Sequence, residues 1–149
     1  MAIPSDKQQF QEFFDNFMER LGFDDIVVTL GLTPHDADGE SVSMSIPLTN
    51  QVAQANGMFS ATALFGAADI TGTLLSMQAY AASGQFPLAV QSSQNFMSNS
   101  KAAPAVATAR ILRGGNSVSV AEVMVRDETG KDLMHATFTY ILKQRKLGR

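Results

Sequence analysis

The first element that the hydrophobic pattern predicts is a helix. Phe10, Phe13, Phe14, Phe17, Met18 and Leu21 recur at helical spacing, which puts one apolar stripe on the surface and leaves the other face polar. Ser5 with Gln8 three residues on reads as a capping box, and Gly22 as the stop, giving an N-terminal helix over 5–22. Two extended stretches are expected next. One is Ile26 to Leu32, β-branched and apolar; in the other, Val42, Met44 and Ile46 alternate with Ser41, Ser43 and Ser45. Pro34, Asp36, Asp38 and Gly39 between them read as a turn, and Thr49 to Gly57 as a polar loop. A long helical pattern fills 60–82. Four strands follow, near Leu88–Asn99, Ala105–Arg113, Ser117–Arg126 and Lys131–Leu142. The turns Arg113-Gly114-Gly115-Asn116 and Asp127-Glu128-Thr129-Gly130 join the last three as hairpins. In the strand from Ser117, Val118, Val120 and Met124 share one face and Ser119, Ala121, Val123 and Val125 the other, so burial on both faces is expected. Residues 143–149 form a charge run that reads as a solvated tail. The class is α+β, an antiparallel sheet of about five to six strands curled around one helix.

That helix holds an anomaly. Leu64, Phe65, Ala67, Ala68, Ile70, Leu74, Leu75 and Met77 cover nearly its whole circumference, which predicts burial on most sides. Gly66 and Gly72 each cost about 1 kcal/mol relative to Ala inside a helix, and the expected reason is close approach of another backbone. Asp69 lies between them and is the only charged residue from Phe59 to Ala82. Burying an unpaired carboxylate is expensive. It is either a structural aspartate, bonded to Thr73 or to a neighbouring helix end, or a desolvated base or nucleophile.

Composition narrows the chemistry. A chain of 149 residues matches one domain, and 45% hydrophobic against 17% charged residues is enough to build a core. A net charge of −3 argues against a nucleic-acid partner. The lack of cysteine removes disulfide scaffolds, thiolate metal sites and Cys nucleophiles. There is no secretory signal, and Asp69 interrupts the apolar run from Ala61 to Met77, so the expectation is a soluble, cytoplasmic protein without a membrane span. His35 and His135 have no second ligand at metal-binding spacing, and no Gly-x-Ser-x-Gly elbow, phosphate loop or dinucleotide fingerprint occurs. A hydrolase built on this chain is expected to use a carboxylate, with no metal.

The run from Gln54-Ala55-Asn56-Gly57-Met58-Phe59-Ser60 through Ala61-Thr62 to Asp69 resembles the signature of hotdog-fold acyl-CoA thioesterases of the phenylacetate-pathway type. In that family a loop leads to a His-Gly-Gly step opening the central helix, and an acid follows nine residues after the His. Here Asp69 falls nine residues after Ser60, and Gln54 six before it. Asn95-Phe96-Met97 and the two late turns are similarly placed, so the likeness spans about residues 25–142, in element order as well as spacing.

The resemblance implies a hotdog fold and hydrolysis of an acyl-CoA or acyl-carrier thioester, coenzyme A entering only as part of the substrate and no cofactor being needed. It implies that the backbone N–H of Ala61 polarises the thioester carbonyl, with Gln54 holding or orienting it. Asp69 acts as nucleophile or base, aided by Thr73. Nine helical residues advance about 13 Å and two and a half turns, so Asp69 and the helix start of one chain cannot share a carbonyl. The family pairs them across subunits, which implies a homodimer or a dimer of dimers (a homotetramer). Asn56, Gly57, Met58, Phe59, Ser60 and Phe65 become substrate contacts, with Met77 added to an apolar acyl pocket. Arg110 and Arg113 become candidates for coenzyme A. Three departures stand out: Ser60 replaces the usual His, Ala61-Thr62 the two glycines, and Asn116 a frequent Arg or Lys. The altered helix start leaves a second reading open, a hotdog protein that binds an acyl thioester or fatty acid without hydrolysing it.

Overall fold

The structure, a computed structural model, describes residues 2–82 and 84–144. Its elements are α1 (Lys7–Leu21), α2 (Ile26–Leu30), β1 (Thr33–Ala37), β2 (Ser41–Ile46), α3 (Ala61–Tyr80), β3 (Gln85–Phe96), β4 (Ala105–Arg113), β5 (Val118–Arg126) and β6 (Asp132–Gln144). The strands form one antiparallel sheet in the order β1-β2-β4-β5-β6-β3. Helix α3 touches β2 through β6, so the sheet curls around it. Lys143 and Gln144 of the expected tail belong to β6, and 145–149 lie outside the described residues. Among the described residues no helix is long and apolar enough to cross a membrane.

Small side chains decide how close helix and sheet come. Ala105, Ala107 and Ala109 of β4 and Ala121 of β5 are fully buried, and α3 meets the sheet with Ala63, Ala67, Ala68 and Gly72. Alanine against alanine brings the backbones together at the centre. Larger residues (Val42, Met44 and Ile46 on β2, Phe138 and Tyr140 on β6) fill the flanks, all 0–1% exposed. The two helix glycines serve side chains, not the backbone contact expected. A Cβ on Gly66 would lie 2.8 Å from Cδ1 of Leu30, and one on Gly72 2.5 Å from the Tyr140 hydroxyl.

Four local expectations are corrected. Residues 26–32 are not a strand. Asp25 Oδ1 accepts the Val27 N–H at 2.9 Å, and Gly31 ends a five-residue helix at φ 69°. Val27 and Leu30, three apart, are the buried pair, whereas Ile26 and Val28 face out. The stretch expected to be a turn contains strand β1, which tolerates Pro34 because it is an edge. The turn proper is Asp38-Gly39, where Asp38 Oδ1 accepts the N–H groups of Glu40 and Ser41. The cap of α1 is Asp6, which accepts the Gln9 N–H, while Gln9 reaches back to the N–H of Ser5. Finally, β5 is buried only on its Ser119–Val125 face; Val120, Glu122 and Met124 stay half-exposed.

Helix α1 bridges the two edges of the sheet. The Pro4 carbonyl accepts the Gly39 N–H at 2.7 Å beside β1, and at the other end Phe17 stacks on Phe86 of β3, centroids 6.5 Å apart. If the alanine floor sets the helix–sheet distance, Ala107→Leu overpacks it and costs about 1–3 kcal/mol. Thermal denaturation should show the melting point lower by about 2–4 °C per kcal/mol. Thr108→Val, on the outward face of the same strand, should leave it within about 0.5 kcal/mol.

Candidate active site

Asp69 is the residue around which a site is built. It is half-buried at the middle of α3, and the Tyr140 hydroxyl donates to its backbone carbonyl at 3.0 Å while approaching Oδ1 at 3.5 Å. Burial pushes the Asp69 carboxyl up from the ordinary range, against the opposing hydrogen bonds of Tyr140 and Thr73. The phenol of Tyr140 is itself held far above its usual value, first by burial and then by the charge of Asp69, so it remains a donor. The absence of a side chain at Gly72 makes room for that hydroxyl.

Two hollows meet at Asp69. A cavity of about 300 Å³ is walled by α1, α2, α3 and β3, with Phe17, Ile26, Ile70, Leu74, Phe86 and Leu88 supplying apolar surface and Thr73 and Asp69 lying on its lining. An open recess of about 390 Å³ lies against Phe65, Phe138 and residues 89–92 of β3. Asp69 and Ala89 line both, so the carboxylate stands at the boundary. The β3–β6 register slips between Ala89 and Gln91 at this point, an irregularity of the kind that re-aims side chains next to sites.

The start of α3 is a second candidate feature. Ser60, the cap residue, accepts the Ala63 N–H on Oγ at 3.0 Å and the Leu64 N–H on its carbonyl at 3.1 Å. Ala61 and Thr62, both exposed, have no acceptor for their N–H groups among the described residues. Two free donors at the positive end of a twenty-residue helix can stabilise an oxyanion. The loop before it is braced: the Ser60 N–H reaches the Val52 carbonyl, the Phe59 N–H the Ser100 carbonyl, and Ser100 Oγ donates to Asp127 at 2.6 Å. Four bonds to Asp127, from the Ser100 hydroxyl, the Thr129 hydroxyl and N–H, and the Lys131 N–H, hold that carboxyl down at about 2.

Several residues named from the sequence gather at this helix start. Gln54 Oε1 accepts the Asn56 N–H at 2.6 Å, which leaves its amide NH₂ for another acceptor. Gly57 turns at φ 76°, and Met58 is half-buried beside it. Asn56, Gly57, Met58 and Ser60 belong to the loop that leads into the helix start, while Phe65 and Thr73 lie with Asp69 further along α3. Phe59 and Met77 are core residues, 3% and 7% exposed, and line neither hollow. Arg110 sits on the outer face of the sheet, away from α3, and is paired with Glu122, which also meets His135 at 3.1 Å. Arg113 is exposed at the end of β4. The cation that does lie beside the helix-start loop is Lys101, whose side chain passes over Gly57.

Sequence reasoning missed Tyr140, Phe17, Phe86 and Lys101. Gly72 was the one available signal for Tyr140. The others depend on which elements become spatial neighbours, and no local pattern encodes that.

Comparison with known proteins fits this geometry. The sequence profile of the thioesterase superfamily matches residues 56–134, a stretch running from the helix-start loop through Asp69 to β6. No curated protein matches by sequence. Among solved structures, a thioesterase from Haemophilus influenzae is 16% identical with a TM-score of 0.78, over 85% of this chain and 88% of its own. The PaaI protein of the E. coli phenylacetic acid degradation operon is 15% identical with a TM-score of 0.75, over 93% and 97%. A Streptococcus mutans protein bound to acetyl CoA is 18% identical with a TM-score of 0.66, over 77% and 90%. The likeness to these structures is one of fold.

If Tyr140 steadies the ionised form of Asp69, Tyr140→Phe removes a donor and raises the carboxyl further. Carboxylate-resolved NMR titration should show Asp69 ionising at higher pH in the variant than in the wild type. An unchanged midpoint would mean that the hydroxyl serves only the backbone carbonyl.

Proposed function

Since the chain belongs to the thioesterase superfamily and has its hotdog fold, we propose that it hydrolyses an acyl-CoA thioester to free acid and thiol, working as a homodimer. The carrying observation is Asp69: a half-buried carboxylate with a raised pKa, held by a buried phenol where an apolar cavity meets an open recess. A structural aspartate does not require that junction.

In this reading the thioester carbonyl lies at the junction. Asp69, ionised, takes a proton from an attacking water or adds to the carbonyl carbon itself. The developing oxyanion is met by the Ala61 N–H at the start of a partner's α3, with the Gln54 amide nearby. Collapse of the tetrahedral species breaks the C–S bond. In the water route the thiolate takes the proton that Asp69 removed; in the covalent route water then cleaves the acyl-aspartyl anhydride, giving the free acid, regenerating Asp69 and supplying the thiol proton. Asp69 and Ala61 of one chain are about 12 Å apart along the helix, which favours a site shared by two protomers. The twelve-residue edge strand β3 supports this: it lines the recess, its residues 89–91 and 93–96 are exposed, and its outer hydrogen-bonding groups lack a neighbouring strand.

Asp69→Asn should lower kcat by about 10²–10⁴-fold, with acyl-CoA affinity nearly unchanged. In the wild type, activity should fall as pH is lowered through the raised Asp69 pKa, because protonation removes the base. The acid limb should therefore lie above the ordinary carboxylate value of 3.8. Intact affinity with full activity in Asp69→Asn would remove the carboxylate from the mechanism.

The shared site has its own test. Proline suits the first helical position, and Ser60 already has the extended ψ of 150° that a following proline requires. Ala61→Pro thus deletes the N–H with little disturbance. Each variant, Ala61→Pro or Asp69→Asn, should be nearly inactive alone. Unfolding and refolding them together in equal amounts should restore about a quarter of wild-type activity: half of the symmetric dimers are mixed, with one intact site of two. No recovery in a verified mixed dimer would place both groups in one protomer.

A further inference from the structure

We infer that the cavity of about 300 Å³ is the acyl-chain pocket, and that α1, through Phe17, sets the chain length this protein accepts. The inference rests on the thioesterase reading and adds a substrate class to it: thioesters of medium-length hydrocarbon acids.

The chemistry of the walls selects a hydrocarbon. Phe17, Ile26, Ile70, Leu74, Phe86 and Leu88 carry no hydrogen-bonding side-chain atoms. The polar side chains on the lining are Asp69 and Thr73, which belong to the reacting centre, and Asp25, which caps α2 through the Val27 N–H. No polar group is left over to hold a hydroxyl or carboxyl on the far part of an acyl group, and such a group would enter unpaired.

The dimensions select its length. At about 30 Å³ for each water-sized group, the cavity holds at most about ten methylenes. Chains of about six to ten carbons fill it, and a sixteen-carbon chain extends beyond its walls. The stacked pair of Phe17 and Phe86 forms part of its wall. One of these rings comes from α1, outside the sheet and its central helix. The N-terminal helix, predicted from its Phe stripe as a packing element, therefore acts as a length gauge as well.

The test is hydrolysis of straight-chain saturated acyl-CoAs from four to sixteen carbons by the wild type, Phe17→Leu and Ile26→Trp. Ile26 is 56% exposed, so its replacement intrudes on the cavity without disturbing the core. For the wild type, kcat/KM should rise up to about fourfold per added methylene, peak at about six to ten carbons, and be at least about tenfold lower at sixteen. Phe17→Leu should move the optimum to longer chains and Ile26→Trp to shorter ones. Turnover with an optimum that neither variant moves, or a profile flat to sixteen carbons, overturns the inference and leaves the hydrolase reading standing. If no acyl-CoA is turned over, the hydrolase reading fails, and calorimetric titration with free fatty acids of the same lengths decides the pocket. Binding that peaks at medium length and shifts with both variants supports it; binding that is absent or insensitive to length overturns it.

Discussion

The whole arrangement depends on how closely α3 lies against the sheet. The fully buried alanines of β4 leave no space between helix and strands, so a helix apolar on nearly every side becomes the axis of the protein instead of one of its covers. Once it is there, a polar group on it is costly unless it is paired or sits at a break in the packing. The buried amide of Gln78 bears that cost, with no hydrogen-bond partner among the described residues. Thr71 is paired, its hydroxyl donating to the Ala67 carbonyl at 2.6 Å, and Ser76 meets Ser119 at 3.0 Å. Asp69 has the break. The close packing around it makes its charge costly, because desolvation raises the free energy of the ionised form.

Much of this was legible before the structure. Period-two alternation in β2 and β5, and the glycine turns after β4 and β5, signal strands through backbone geometry that acts locally. The solitary charge in an apolar helix marked Asp69 by contrast alone. Local signals misled where two periods compete. Ile26, Val28 and Leu30 alternate well enough for a strand, yet Asp25 and Gly31 stand one residue outside either end of the run, and a cap with a left-handed stop outweighs β-branching over so short a span. At the site, the helix-start residues were legible because they are contiguous in sequence. The cavity residues were not: Phe17, Ile26 and Phe86 belong to three elements whose meeting is a property of topology. Phe59 and Met77, expected at the acyl pocket, lie in the core, and an apolar side chain by itself does not distinguish a lining from a core.

The two carriers of the proposed chemistry are supported in different ways. The N–H groups at the helix start are free because Ser60 answers for the two donors after them, and the loop that presents them is tied through Ser100 to the Asp127 turn. The carboxylate is held from the other side of the helix by a strand residue.

The contact between Tyr140 and Asp69 also has a bearing on time. It joins residues 71 apart in the chain, whereas β4, β5 and β6 follow one another through short hairpins. Local hairpins can zip early, but closing the long loop must await the final strand and the seating of α3. The carboxylate therefore acquires its environment only as folding completes. Partly folded chains carry an ordinary aspartate, exposed to water, and the raised pKa appears together with the native state.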